Sequence, residues 1–441
     1  MSLKKTVAIA VAAGALAAIS VPAMAFENEF HGMFRLRGIM SNYENAATGV
    51  LAASPKDRTT TVFEQRARLQ YIAKASDDLK LVTHFEVDSS WGDTGGATGG
   101  RGLGGGVGAD SVNLETKNVY LDFKIPSTPV NAKVGIQGFA DAYKGIFLLD
   151  DIAAAVFSAK MDAATVTAGF SRLMDNGGYL AASTSPTGQK TADLYLLDGK
   201  FNVAKDTTVG ASYYLLRNDY NYRTSDIHML GLNAAAKLGP ADLDAFFVFQ
   251  TGELGTLAAK QKLTAWAGQV GAKVALGPGA LRSQFLYASG DDGKNASKAK
   301  AFQSVNGFVG QSSSFYTAKM LLLMRNVYAM DSDKAIIGST NNVNQGLMFF
   351  NLGYDAKFSD KLGATFNVGL AGVDKRNTVT ASDSKFVGTE LNAGVDYKLY
   401  SNLTAAFNAG YVILGDYYKQ AAGVSKLANP YLTEVMLNYT F

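Results

Sequence analysis

The chain has 441 residues, no cysteine, and 41 basic residues against 38 acidic ones. Charge so nearly balanced argues against nucleic acid as a partner, and the missing thiols exclude disulfides and any cysteine-based metal site. Only 18% of residues are charged, yet after residue 25 no run reaches the ~18 apolar residues of a membrane-spanning helix.

Residues 1–25 read as a secretory signal peptide. Lys4 and Lys5 form its charged start, 7–19 its Ala-rich apolar run, and Ala23-Met24-Ala25 its cleavage site. The mature chain is then expected to begin at Phe26, with 39 basic residues once Lys4 and Lys5 are removed, a net of +1. Proline is rare and no linker composition divides the rest, so 26–441 is expected to be one domain.

From there a two-residue rhythm recurs, which puts alternate side chains on opposite faces of a strand. In 29–43, Phe30, Phe34, Leu36 and Met40 share one face and His31, Arg35 and Arg37 the other. Segment 62–73 sets Phe63, Ala67, Leu69 and Tyr71 against Glu64, Arg66, Arg68 and Gln70. Segment 79–88 sets Leu79, Leu81, Phe85 and Val87 against Lys80, His84, Glu86 and Asp88. Lys133 and Gln137 mark the polar face of 130–137, and in 193–203 the apolar parity switches near Asp198, which suggests a bulge. Segments 362–370, 390–399 and 403–413 alternate again, the second with Glu390, Asn392 and Asp396 on its polar side. At the end Thr433, Val435, Leu437, Tyr439 and Phe441 oppose Glu434, Met436, Asn438 and Thr440.

The joins are alternately short and long. The short ones carry turn residues: Ser76-Asp77-Asp78, 126–129, Met161-Asp162, Lys205-Asp206, Gly239-Pro240, 277–279, Ser359-Asp360 and Ser401-Asn402. Eight such turns imply nine joins at the other end and about 18 strands. The strands reach the ~9–11 residues needed to cross hydrocarbon, whereas strands of soluble sandwiches more often have about 5–6. The expected fold is therefore all-β: a transmembrane antiparallel up-and-down β-barrel of about 18 strands, with 16 or 20 as alternatives, short periplasmic turns and long external loops.

Residues 289–345 are expected to form one long external loop that narrows the pore. Within it, Ser312-Ser313-Ser314 precedes 315–330, whose apolar run breaks the alternation; a capped helix or two more strands are the alternatives. The glycine-rich 92–110 lacks the helix a phosphate-binding turn needs and reads as an external loop. Asp291-Asp292 and Asp331-Ser332-Asp333 offer carboxylates to a divalent cation, but solvated acidic loops account for them, and no metal or cofactor is expected. His31, His84 and His228 stand near no G-x-S-x-G or H-E-x-x-H pattern, so no catalytic residues are assigned and the chain is not expected to be an enzyme.

Tyr439 and Phe441 make the last strand resemble the closing strand of Gram-negative outer-membrane barrels, where such a pair is the signal read by the barrel-assembly machinery. With the signal peptide and the sustained alternation, the whole mature chain is similar to the outer-membrane porin family, in its OprD-like class of about 18 strands. The resemblance implies an outer-membrane location, lipid around the barrel, small hydrophilic solutes passing through it, and a homotrimer as one assembly open to it.

Barrels of ~16–18 strands leave an aqueous channel, so passive diffusion is the expected function. Arg35, Arg37, Arg66 and Arg68 share one wall, with Lys80 and Lys133 farther round, and Glu64, Glu86, Asp88, Glu390, Asp396 and Glu434 supply acids. Such a ladder would give a mild anion or carboxylate preference, unless the charges on neighbouring strands satisfy one another. The resemblance also implies that the third external join, 139–149 with Asp141, Tyr143 and Lys144, folds inward; 315–330 is the competing constriction. The functional alternatives are a barrel sleeve around a partner protein and an outer-membrane enzyme.

Overall fold

A computed structural model of the chain describes residues 27–43, 59–93, 102–108, 114–175, 188–220, 224–256, 259–305, 315–330, 334–376, 384–418 and 427–441. The expected signal peptide, Ser312 to Ser314 and Asp331 to Asp333 lie outside the described residues, as does most of the glycine-rich loop.

In chain order the strands are β1 (Glu27–Ser41), β2 (Thr60–Ser76), β3 (Leu79–Trp91), β4 (Gly102–Gly105), β5 (Glu115–Lys124), β6 (Val130–Ala140), β7 (Leu149–Lys160), β8 (Ala164–Asp175), β9 (Thr191–Ala204) and β10 (Thr207–Asn218). There follow β11 (Ser225–Leu238), β12 (Ala241–Thr256), β13 (Ala259–Leu276), β14 (Gly279–Ala288), β15 (Lys298–Ala299), β16 (Leu347–Lys357), β17 (Leu362–Gly372), β18 (Phe386–Tyr400), β19 (Leu403–Leu414) and β20 (Tyr431–Thr440). The short β4 and β15 pair parallel to β3 and β13 and do not continue the wall. The other eighteen pair antiparallel, each with the next, and β20 returns to β1 with Met33 opposite Thr440 and Ser41 opposite Leu432. The barrel is closed at eighteen strands, and the join 289–346 adds no wall strand.

All eight short turns expected from the sequence connect consecutive wall strands. Asp206 and Gly239 take positive φ there, 59° and 61°, the left-handed conformation that Asp tolerates and Gly adopts freely. Two of the nine opposite joins, 219–224 and 257–258, are themselves short, and β12 and β13 run 16 and 18 residues.

The alternation sorts side chains as expected, with Phe34, Leu69, Leu121, Phe247, Phe366 and Val435 exposed on the outer face. In a membrane that face meets lipid, and the N–H and C=O groups of the ladders are satisfied between strands. The apparent parity switch at Asp198 is not a bulge. Tyr195, Leu197, Phe201 and Val203 all face outward, and the register with β10 is unbroken from Ala192 to Asn202. Leu194 and Leu196 are apolar although they face inward, because a folded-in loop buries them. Residues 315–330 contain a single 3-10 turn, Tyr316–Ala318, and no α-helix.

Closure is completed beyond β20. The Gly32 N–H donates to the Phe441 carbonyl (2.9 Å) and the Phe441 N–H to the Gly32 carbonyl (3.1 Å). The Phe441 ring lies over Gly32, where a β-carbon would collide with it, and stacks on Tyr439 at 5.7 Å. Gly32→Val forces the ring off the seam. It is expected to destabilise the barrel by about 1–3 kcal/mol, read as a lower urea midpoint in lipid vesicles, while Gly138→Ala, whose β-carbon would meet nothing closer than 3.5 Å, is not.

Candidate functional site

Two joins fold into the lumen, and a buried carboxylate anchors each. In the first, residues 141–148, the Asp141 carboxylate accepts N–H groups from Tyr143 (2.7 Å), Gly145 (2.9 Å), Phe147 (2.7 Å) and Leu148 (2.8 Å). Lys144 and Gly145 have φ of 61° and 82°, which curls those N–H groups toward one point. Burial pushes the Asp141 carboxyl up from its usual range, against the four donors, which favour the charged form. Tyr143, Ile146, Phe147 and Leu148 are thereby buried against Leu194, Tyr214 and Phe246 of the wall. Tyr143 occupies the space a side chain at Gly231 would need, and Lys144 forms an ion pair with Asp244.

The second is the long join. Glu390 of β18 is fully buried and accepts the N–H groups of Leu321 (2.8 Å), Leu322 (3.1 Å) and Leu323 (2.6 Å), with Asn392 donating as well (2.7 Å). Met320 sits against Gly369, and Leu321 against Gly410. Lys319 pairs with Asp355 (2.9 Å), and the Thr317 hydroxyl donates to Gln284 (2.8 Å). The two joins also meet: the Val305 N–H donates to the Phe147 carbonyl (2.9 Å) and the Thr340 hydroxyl to the Ile146 carbonyl (2.7 Å). The rival constrictions of the sequence reading are thus one apolar plug, packed on the side of β9–β14 and β16–β19.

The space left lies against β1, β2 and β5–β7. A cavity of ≈ 910 Å³ there is lined by Arg35, Arg66, Arg68, Lys117 and Arg325, with Asp150 and Asp151 opposite in sign. The arginines differ in how far they are neutralised. Arg37 is enclosed between Glu64 and Glu434, the latter at 2.9 Å. Arg66 holds Asp88 through two bonds (2.6 and 2.5 Å), and Arg68 pairs with Glu86. Arg35 has no carboxylate partner among the described residues; its Nε donates to the Asn438 side chain (3.1 Å) and its guanidinium lies 5.0 Å from the Tyr328 ring centre. Burial pushes the Tyr328 phenol up while Arg35 pulls it back, so Tyr328 meets the cation as a neutral ring.

Of the other residues picked out from the sequence, Glu64, Glu86, Asp88, Glu390 and Glu434 face inward but are enclosed. They hold arginines or loop backbone and present almost no surface to the passage. Lys80 pairs with Asp122 at 3.5 Å, Lys133 lies 5.7 Å from the Tyr120 ring, and Asp396 is exposed near the turn end. Lys117, Asp150, Asp151 and Arg325 escaped the parity reading. A register shift between His84 and Phe85 lies opposite Lys117, the two aspartates stand where β7 begins, and Arg325 lies in irregular chain. His31 bonds Glu29 (3.3 Å), His228 faces outward onto Tyr213 (2.7 Å), and Asp291 accepts N–H groups from Gly293 and Lys300 within its own loop.

A closed, lipid-facing barrel with a charged passage beside an inward plug is an outer-membrane channel barrel. The family model described as alginate export matches residues 188–429, and the chain belongs to that family. Among solved structures, Acinetobacter baumannii OccAB4 superposes with a TM-score of 0.55 at 13% identity, over 96% of this chain and 100% of that one. Pseudomonas aeruginosa OccK5 (OpdH) gives 0.54 at 12%, over 94% and 98%. Pseudomonas aeruginosa OccK2 (OpdF), solved in complex with glucuronate, gives 0.54 at 13%, also over 94% and 98%. These likenesses are of fold. A search of curated proteins finds no match.

Removing either anchor tests the plug. Glu390→Ala leaves three loop N–H groups without their acceptor, at about 1.5–3 kcal/mol for each bond to a charged group, and Asp141→Ala leaves four. Both variants are expected to raise single-channel conductance in planar bilayers and its open-state noise. Unchanged conductance in both would mean that the loops are held by other contacts.

Proposed function

We propose that the protein is a passive diffusion channel for small hydrophilic solutes, with a preference for carboxylates of the uronate kind. The observation that carries this reading is Arg35: a lumen cation with no carboxylate partner among the described residues, sharing its cavity with Arg66, Arg68, Lys117 and Arg325. A solute carboxylate entering there would supply the missing counter-charge, and Asp150 and Asp151 would orient its hydroxyl groups or repel a second anion. Support from outside the chain is chemical. The family description names alginate, a polyuronate, and one structural relative holds glucuronate, a single uronate.

A second reading is passage of the polymer itself, which the family description favours. The inward plug, fastened at Asp141 and Glu390, favours the monomer, because it leaves the passage along one wall only. The reading is of a channel rather than an enzyme.

Purified protein in a planar bilayer under a salt gradient is expected to show a reversal potential on the anion-selective side. Arg35→Ala with Arg68→Ala is expected to move it toward zero and to slow glucuronate uptake in liposome swelling. Arg37→Ala should act on stability instead, by about 3–5 kcal/mol, since it removes the cation held between two buried carboxylates. No conductance would defeat the channel, an unmoved potential would defeat the preference, and block by uronate oligomers without monomer uptake would favour the polymer.

A further inference from the structure

The ring of strands is closed, yet two of its ladders stop early. β5 and β6 pair from Lys124 opposite Asn131 to Val119 opposite Ile136, six rungs in all. β7 and β8 pair from Lys160 opposite Thr165 to Ala154 opposite Ser171, seven rungs. A strand needs ~9–11 residues to cross the hydrocarbon, so both ladders end short of its outer boundary. The turn 125–129 joins β5 and β6 at the periplasmic end, which puts their parting at the level of the outer leaflet. The hairpin between the two partings is intact, with β6 and β7 paired up to Ala140 opposite Leu149. Its upper part, 137–140 and 149–153, pairs with neither β5 nor β8.

This upper hairpin belongs to the lumen rather than to the wall. Gly135, one rung below the parting, has φ of 134°, and a β-carbon there would collide with the Val119 carbonyl. Ile152 and Ala154 are buried against the plug. Side chains replace the lost ladder bonds. Asp151 of β7 lies over Gly138 and accepts from Lys117 (2.7 Å) and Asn118 (2.9 Å) of β5. The Ser171 hydroxyl donates to the Ala153 carbonyl (2.9 Å) and the Gln137 amide to the Ala154 carbonyl (3.1 Å). Backbone off the ladder is tolerated at membrane depth where it lines a water-filled cavity, and one lies here.

The ≈ 910 Å³ cavity beside the arginines is lined also by Gly138, Ala140, Leu149 and Asp151. These four share the strand parity of Val134, Ile136 and Phe157, which are exposed on the lipid face. Residues of the lipid-facing set thus border the same space as Arg35 and Arg68. A β-carbon at Gly138 would meet only the Asp151 carboxylate, at 3.5 Å, so the place where β5 would have packed is open. A smaller cavity of ≈ 300 Å³ adjoins at Asp150 and Asp151 and reaches Ile136 and Ala153, both exposed on the lipid face. The lining also changes character. Against the cations stand Phe139, Leu149, Val327 and Ala329, and Val327 is 52% exposed although it lies inside the barrel. A hydrophilic solute makes no use of that apolar side. β1 and β5 are three strand spacings apart, about 14 Å, a distance that a long acyl chain spans.

We propose that the parting of β5 from β6 is a side opening between the passage and the outer leaflet, and that it takes amphipathic carboxylates of the fatty-acid class. The carboxylate sits at Arg35 and the acyl chain runs over Phe139, Leu149 and Gly138 into the lipid. The proposal rests on the channel reading for one thing only, Arg35 as the partner of a carboxylate. The test is photo-cross-linking of full-length protein in lipid vesicles with a diazirine-tailed palmitate and with its methyl ester, which enters the bilayer without the charge. Labelled segments are located by mass spectrometry. The acid is expected to label 134–140 and 149–153 roughly ten-fold more than the ester does. Arg35→Ala is expected to abolish that difference, and Gly138→Phe, which fills the opening, to remove the label from both segments. Equal labelling by acid and ester, label spread evenly around the lipid face, or undiminished label in Gly138→Phe would each overturn the proposal. The acid–ester comparison uses the unaltered chain, so it decides the matter even where Gly138→Phe does not fold. Site-specific label in a protein that carries no ion current would sustain the side opening and defeat the channel reading alone; current without such label would do the reverse.

Discussion

A backbone N–H or C=O facing hydrocarbon has no water to bond, so a chain that crosses a membrane as strands must leave none unpaired. Everything else in this molecule answers to that constraint. Eighteen strands pair in order around the ring, and β20 meets β1 from Ser41 to Met33, so the wall has no edge. The Gly32–Phe441 pair carries the ladder one residue beyond the last strand and lays an aromatic ring over the seam.

The same requirement governs the lumen, by different means. Where the chain leaves the sheet and turns inward, its N–H groups lose their strand partners and are shut away from water by the apolar plug. Two carboxylates take their place as acceptors, Asp141 from within its own loop and Glu390 from the wall. Glycines at 231, 369 and 410 remove side chains where Tyr143, Met320 and Leu321 must approach the wall. The arginines follow a similar rule on the opposite wall. Arg37 and Arg66 are enclosed with their acids, whereas Arg35, two residues from Arg37 on the same face, meets Asn438 and the Tyr328 ring and has no carboxylate partner among the described residues.

The inner and outer faces therefore carry separate chemistry on a single alternating pattern. Along β13, Gln269 and Ala267 serve the lumen side while Trp266, Lys262 and Lys260 serve the lipid side. Neither set can be changed by a one-residue slip without exchanging both.

Strand count, turn positions and the outward face were all legible in the residues. Side-chain period and turn chemistry are local, and a wall strand meets the same two environments along its whole length. What misled a local reading was inward apolar side chains: Leu194 and Leu196 looked like a change of face, and the leucines of 321–323 like a helix or strand. A local reading also saw Glu390 and Glu434 as charges offered to solute, when one clamps a loop and the other holds Arg37. The sequence by itself determined the strands, their turns and which parity meets lipid, because those depend on neighbours within a few residues. Only the tertiary structure decided how much lumen remains and that Arg35 has no carboxylate partner among the described residues, because both depend on loops packed against strands hundreds of residues away.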